Sequence, residues 1–267
     1  MLAQTIPVST ILLTRNSMAS LARYFASMQS IEDIIVLDGG STDGTQELVR
    51  RQPNCRLYQQ DKIFLDHQGY IKDFSGVRNQ GYALARHPWI LCIDADEEMS
   101  ESLLAQIREI VAQAEPAIYY VRRRFTLNGK MVVVLGGSTS DQVRLFHRSC
   151  VTGCVRPVHE RLDILPGSPR KYLDADIIVP LGTASSLRRK YDRYLAIEVM
   201  ASDTIAFRRW FRWIFLRNIV AIMRRIMVIV AVRLIPATGP RYPLRLEWEQ
   251  IRYSWLLLVR CCPIKFF

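Results

Sequence analysis

Residues 34–48 read IIVLDGGSTDGTQEL. Ile34-Ile-Val-Leu37 is a short apolar, β-branched run, the pattern of a strand buried on both faces. Asp38-Gly-Gly-Ser-Thr-Asp-Gly44 packs turn-forming residues directly behind it, and Thr45 to Arg51 opens a helix. Strand, polar loop and helix in that order are the repeating unit of α/β proteins. The same order recurs on both sides. Val8 to Leu13 is a buried strand followed by Thr14-Arg-Asn16, and Met18, Leu21, Ala22, Phe25 and Met28 then fall at helical spacing. Arg56 to Tyr58 is a third strand, 75–86 a helix, Trp89 to Ile93 a fourth strand ending at Asp94-Ala-Asp96, 100–113 a helix, and Ala117 to Val121 a fifth strand. The alternation predicts a parallel α/β sheet flanked by helices.

From 122 to 180 the helical period fades. Lys130 to Leu135 and Gln142 to Phe146 read as strands around Gly136-Gly137, and 185–203 returns to helix. Residues 206–235 hold 22 apolar residues, seven arginines, one Asn and no acid, and are closed by Pro236, Pro240 and Pro243. A last helix is expected over 245–260.

The chain has 267 residues, 36 Lys+Arg and 25 Asp+Glu, a formal net charge of +11. With 49% hydrophobic residues it is long enough to bury a sizeable core, which excludes global disorder. The charge is unevenly placed: residues 1–180 carry 20 basic and 20 acidic residues, whereas 181–267 carry 16 and 5. The surplus therefore says nothing about substrate binding in the sheet. The six cysteines, at 55, 92, 150, 154, 261 and 262, form no repeated framework. No basic n-region or cleavage site marks an export signal near the start, so a reducing, cytosolic setting is expected.

Ligands of open α/β sheets bind beyond the carboxyl ends of the strands. Three polar clusters fall there: Thr14-Arg-Asn16, Asp38-Gly-Gly-Ser-Thr-Asp43 and Asp94-Ala-Asp96. Each has an ordinary alternative. Asp94 and Asp96 would equally serve as cap and first-turn acid of the helix over 100–113, and Asp38-Gly-Gly-Ser would serve as a turn. Together they carry more. Two carboxylates two residues apart in an extended segment offer oxygen ligands to a hard divalent cation, which takes its remaining ligands from water and substrate phosphates.

The run Val8 to Asn16, residues 34–48, Gly76-Val-Arg-Asn-Gln-Gly81 and Ile93-Asp-Ala-Asp-Glu97 stand in order. At this point the chain resembles the inverting family 2 glycosyltransferases of the GT-A fold, a Rossmann-like mixed sheet flanked by helices, here with a C-terminal basic, apolar helical extension. Asp141-Gln-Val-Arg-Leu-Phe-His147 and Pro157-Val-His-Glu160 are similar to the bacterial subgroup that builds lipopolysaccharide core and other surface glycans. The resemblance implies a nucleotide-sugar donor, UDP-linked, whose nucleotide is lined by Thr14, Arg15, Asn16 and Gly40. Asp38 would face the base, and Arg78 the nucleotide or diphosphate. Asp94 would lie near ribose and metal, and Asp96 would bind Mn2+ or Mg2+, with His159 a further metal or diphosphate contact. Inverting transfer needs a carboxylate to take the acceptor proton; Glu160 is the first candidate and Asp141 the second. The sequence departs from the subgroup at Pro180-Leu-Gly-Thr-Ala-Ser185, where many relatives carry a His. A rival zinc set, His147, Cys150, Cys154 and His159, matches no familiar module. A metal-dependent nucleotidyltransferase and a non-catalytic scaffold on the same fold stay open as alternatives.

The expected domains are 1–204, catalytic, and 205–267, a membrane-association region. The longest uncharged run within 206–235 is Ile226 to Val232, too short to span a bilayer. A monotopic helix fits better, with Trp210, Phe211, Trp213 and Phe215 at the headgroup boundary and arginines on anionic lipid. Packing on the catalytic domain or a partner subunit is the alternative, so a homo-oligomer stays open. No recognition motif supports a nucleic acid partner. The expected location is the cytoplasmic face of the inner (plasma) membrane, peripheral or monotopic, with a glycan or lipid-linked acceptor.

Overall fold

A computed structural model describes residues 5–133, 141–202, 207–236 and 239–263. Gly136-Gly137 and the end of the strand expected over 130–135 lie outside them. The strands are β1 (Ile6–Thr14), β2 (Ile31–Asp38), β3 (Cys55–Gln59), β4 (Trp89–Leu91), β5 (Glu98–Met99), β6 (Ile118–Leu127), β7 (Lys130–Met131), β8 (Gln142–His147), β9 (Val151–Val155), β10 (Arg161–Ile164) and β11 (Arg170–Pro180). The helices are α1 (Met18–Ser27), α2 (Thr45–Arg50), α3 (Phe74–Leu84), α4 (Glu101–Gln113), α5 (Ala184–Ser202), α6 (Phe207–Trp210), α7 (Leu216–Leu234) and α8 (Leu244–Arg260).

The main sheet runs β3-β2-β1-β4-β8-β6-β11-β5. Its first four strands are parallel, Thr14 opposite Asp38 and Asp38 opposite Gln59. β8 is antiparallel to both β4 and β6, and β5 is antiparallel to β11. The sheet is therefore mixed. This is the mixed sheet that the resemblance implies; the parallel order read from strand–helix alternation holds only as far as β4, where antiparallel β8 inserts. β9 and β10 form a separate two-stranded sheet.

Packing divides the chain into two compact units, one of residues 1–124 and 139–180, the other of 125–138 and 181–267. In the first, Ile11, Ile35, Leu37, Val77, Ile90, Ile118, Phe146 and Cys150 form one buried cluster between sheet and helices. β1 and β2 are buried on both faces, which is why they read as unbroken apolar runs. Gly81 lets α3 lie close against β1: a Cβ there would sit 2.5 Å from Ile11 Cγ2.

In the second unit, Leu195 of α5, Trp210, and Leu257 and Cys261 of the α8 end form a buried cluster. α6 and α7 are joined by a π-helical segment, Phe211–Phe215. This corrects the placement expected for two of the four aromatics: Trp210 is buried and Phe215 packs against that cluster, whereas Phe211, stacked on Phe215, and Trp213 are exposed. Among the described residues no helix is long and apolar enough to cross a membrane.

Candidate active site

The carboxyl ends of β1, β2 and β4 bring the three polar clusters to one edge of the first unit. At the β1–β2 end, Asp38 is fully buried. Its carboxylate accepts from Thr14 Oγ1 at 3.0 Å, Gly40 N at 3.0 Å, Ser41 N at 2.8 Å and Gln46 Nε2 at 2.8 Å, and also from Ser41 Oγ. Both oxygens are thus engaged in shaping the loop. Gly40 takes a left-handed backbone, φ +81°, with open space around it, so the position demands glycine for conformation rather than for room. Asn16 is also left-handed, φ 51°. It ties the β1 end to this loop, receiving Thr42 N on Oδ1 and donating its own N–H to Ser41 Oγ, both at 2.8 Å. Burial pushes the Asp43 carboxyl up, but hydrogen bonds from Thr45 and Met18 outweigh it and hold the group below the usual carboxylate range.

Arg15 points elsewhere. Its guanidinium donates to the carbonyls of Gly69 and Gln68 and lies 3.8 Å from the centre of the Tyr70 ring. It ties the 66–70 loop to the β1 end.

At the β4 end a charged cluster assembles. Arg78, on α3 and buried, donates to Asp94 Oδ1 at 2.6 Å and to the Ile11 carbonyl at 3.3 Å. Its Nε is 3.7 Å from Glu160 Oε1. One arginine thus joins the strand-end carboxylate to the carboxylate that precedes β10. Arg144 of β8 donates to Cys92 O at 3.0 Å and Glu97 Oε1 at 2.8 Å, and its Nη1 stands 3.7 Å from Asp94 Oδ2. Arg123 of β6 reaches the same Glu97 oxygen at 2.9 Å. Glu97 also accepts the Asp94 N–H at 3.1 Å. Burial pushes the Glu97 carboxyl above its usual range and Asp94 adds to that, while Arg144 and Arg123 pull it down.

The helix-cap alternative for Asp94 and Asp96 does not describe this arrangement. Ser100 caps α4, accepting from Leu103 N, and Glu101 is the first-turn acid. Asp96 is exposed and its side chain makes no hydrogen bond among the described residues. His159 is exposed and left-handed, φ 51°, next to Glu160. Asp141 is exposed just before β8, whose Leu145 lies opposite Leu91, the last residue of β4.

The structure therefore brings together Thr14, Asn16, Asp38 and Gly40 in one loop pair, and Arg78, Asp94 and Glu160 in one charged cluster. No group of three or more His, Cys, Asp or Glu side chains among the described residues is arranged to hold a metal ion. This covers both the Asp94, Asp96 and His159 set and the His147–His159 zinc set. The donor chemistry at the β4 end still fits a hard cation. Asp96 offers an exposed carboxylate beside Asp94, whose side chain is 41% exposed, and one or two carboxylates plus substrate phosphates are the usual set for Mg2+. Sequence reasoning left out Glu97, Arg123 and Arg144 as a buried network, although Glu97 and Arg144 lie inside the quoted motifs.

Comparison with known proteins follows the same stretch. A TPR repeat-containing protein of Synechococcus elongatus is 31% identical over 157 residues, 58% of this chain and 35% of that protein. The lipopolysaccharide core biosynthesis glycosyltransferase LpsC of Rhizobium meliloti is 27% identical over 140 residues, 52% of this chain and 48% of its own. The chain thus spans between a third and a half of the length of these relatives. Among solved structures, S. aureus TarS in complex with UDP aligns with a TM-score of 0.49 at 12% identity, over 94% of this chain and 90% of that one. The family model "Glycosyl transferase family 2" matches residues 9–151, from inside β1 through the loops after β1 and β2 and Asp94-Ala-Asp96 to the start of β9. With that match over more than half its length, the chain belongs to glycosyl transferase family 2.

Proposed function

We propose that the chain transfers a sugar, with inversion, from a UDP-linked nucleotide-diphosphate donor to a glycan or lipid-linked acceptor at a membrane. The observation that carries this reading is the Arg78 bridge between Asp94 and Glu160 at the strand-end edge. It sets a half-buried carboxylate beside the residues suited to a diphosphate. The name of the Rhizobium relative supports a surface-glycan acceptor.

In an in-line displacement the acceptor oxygen bonds to the anomeric carbon as the bond to the diphosphate breaks. The proton on that oxygen passes to a carboxylate. Glu160 fits this role first, being held by the Arg78 side chain; Asp141, just before β8, is the second candidate. Arg78 and Arg144 place fixed positive charge next to the leaving diphosphate in a partly buried site, where such charge counts for more than in water. The Asn16–Thr42 and Asp38–Gly40 hydrogen bonds hold the nucleotide loops in shape before the donor arrives. Asp96, with Asp94, would hold Mn2+ or Mg2+, which would neutralise diphosphate charge when bound.

Incubation with labelled UDP-sugar and an acceptor glycan tests the reaction. Free UDP is expected; release of sugar 1-phosphate would identify nucleotidyl transfer, and tight binding without turnover a scaffold. Glu160→Gln is expected to lower kcat by about 10²–10⁴-fold with little change in donor KM. A loss of that size in Asp141→Asn, with Glu160→Gln active, would move the base to Asp141.

A further inference from the structure

α7 carries an uncovered apolar stripe. Leu216, Val220, Met223, Met227, Val230 and Leu234 recur at spacings of four and three, which keeps them on one helix face. All six are 45–77% exposed. The other side of the helix is occupied: Asn218 and Val232 are buried, and Arg225 pairs with Glu247 of α8 at 2.7 Å. The stripe is roughly 27 Å long at 1.5 Å per residue.

An apolar repeat of this spacing is also a coiled-coil seam, so charge must choose the occupant. Arg217 and Arg224 flank the stripe on one side and Arg233 stands on the other, and residues 207–235 contain no Asp or Glu. A second copy laid along the seam in parallel would set Arg212 against Arg217. Laid antiparallel, it would bring Arg217 and Arg224 toward their counterparts. Neither arrangement supplies an acid from this helix. An anionic lipid leaflet supplies both needs, an apolar boundary for the stripe and phosphates for the arginines.

We propose that the Leu216–Leu234 face of α7 lies in the plane of an anionic lipid leaflet, with Arg217 and Arg224 on headgroup phosphates. The exposed rings of Trp213, and of Trp248 and Trp255 on α8, are of the type that favours the headgroup boundary. The inference deepens the reading that the acceptor is membrane-borne, and it identifies the surface that reaches the membrane.

The test is flotation of the full chain with phosphatidylcholine vesicles, with and without phosphatidylglycerol. The wild type is expected to float with the anionic vesicles. Val220→Glu/Met227→Glu changes two outward positions and is expected to cut recovery roughly tenfold or more while far-UV circular dichroism and thermal midpoint stay unchanged. Arg217→Glu/Arg224→Glu is expected to abolish the preference for phosphatidylglycerol. Undiminished flotation of the apolar double variant would overturn the proposal. So would a wild-type dimer that ignores vesicles and becomes monomeric in that variant, since the stripe would then be a seam between copies. UDP-sugar turnover of the same proteins with a soluble acceptor glycan or a detergent-solubilised lipid-linked acceptor, in vesicle-free buffer, separates the two readings. Flotation without turnover would defeat the transfer reading and leave this surface standing.

Discussion

Glu97 is the side chain on which the charged cluster turns. It is fully buried, holds the Asp94 N–H, and faces Arg144 and Arg123. Truncation leaves two guanidinium groups without that carboxylate, and breaking such a buried set costs about 3 kcal/mol or more. For a chain of this size that lowers Tm by about 6–12 °C, so calorimetry on Glu97→Ala should find a drop in that range, and an unchanged midpoint would show the network to be dispensable. Asp96 is its opposite, exposed and uncommitted within the fold. Asp96→Ala is expected to keep Tm and lose Mn2+- or Mg2+-dependent transfer; full activity would remove the metal assignment. The difference explains what was legible. Asp94, Asp96 and Asp38 announce themselves because they stand at the carboxyl ends of apolar strand runs, where ligands of such sheets bind. Glu97, Arg123 and Arg144 look like surface charge in a linear sequence, since their burial depends on β6 and β8 meeting the β4 end through pairing that no local pattern encodes. Arg15 shows the converse: it sits in a polar cluster yet is spent on the Gln68–Gly69 carbonyls.

Strands buried on both faces and helices with a regular apolar face were readable, and β10 and the first half of β11 were not. β1, β2 and β4 are continuous apolar runs, and α4 has a regular apolar face with a Ser100 cap. β10 and the first half of β11 alternate with charged residues at exposed or half-exposed positions, so their period is obscured. In the second unit, charge joins the apolar packing of Leu195 on Leu257 and Cys261 in fastening α5 to α8. Glu249, buried on α8, receives Arg188 of α5 at 2.6 and 2.9 Å and Arg252 at 2.8 Å. The Arg188 hydrogen bonds lead the interactions that hold its carboxyl below the usual range. A depressed carboxyl stabilises the fold above its unfolded pKa of about 4.3 and loses that contribution as pH falls through the folded value. Glu249→Gln should therefore cost about 1.5 kcal/mol at pH 7, the low end for charged hydrogen bonds because Arg188 is exposed. The gap from wild type should close in acid. Urea titrations at pH 7 and pH 3 check this, and a gap that widened in acid would contradict the assignment.

At the scale of the whole chain, the break in charge at 180/181 coincides with a boundary between compact units, Pro180 ending one and Leu181 resuming the other. The division expected at 204/205 separates a catalytic region from a membrane-association region, and packing draws another line. Residues 125–138 interrupt the first unit and belong with the helices of the second. Phe125 meets Tyr242 edge-to-face at 6.0 Å, and Val133 N donates to Pro240 O at 2.8 Å, contacts across more than a hundred residues of sequence. Such pairing leaves no local signature. It has a consequence for dissection. A fragment ending at 204 keeps 125–138 and α5 but removes α7 and α8, stripping Phe125 of Tyr242, Leu195 of Trp210 and Leu257, and Arg188 of Glu249. Such a fragment should bind a hydrophobic dye and be cut by protease within 125–138 and 184–202 far faster than the full chain. A fragment with native protease resistance and no dye binding would show that the first unit folds without its partner, and that the long-range contacts of 125–138 add nothing to its stability.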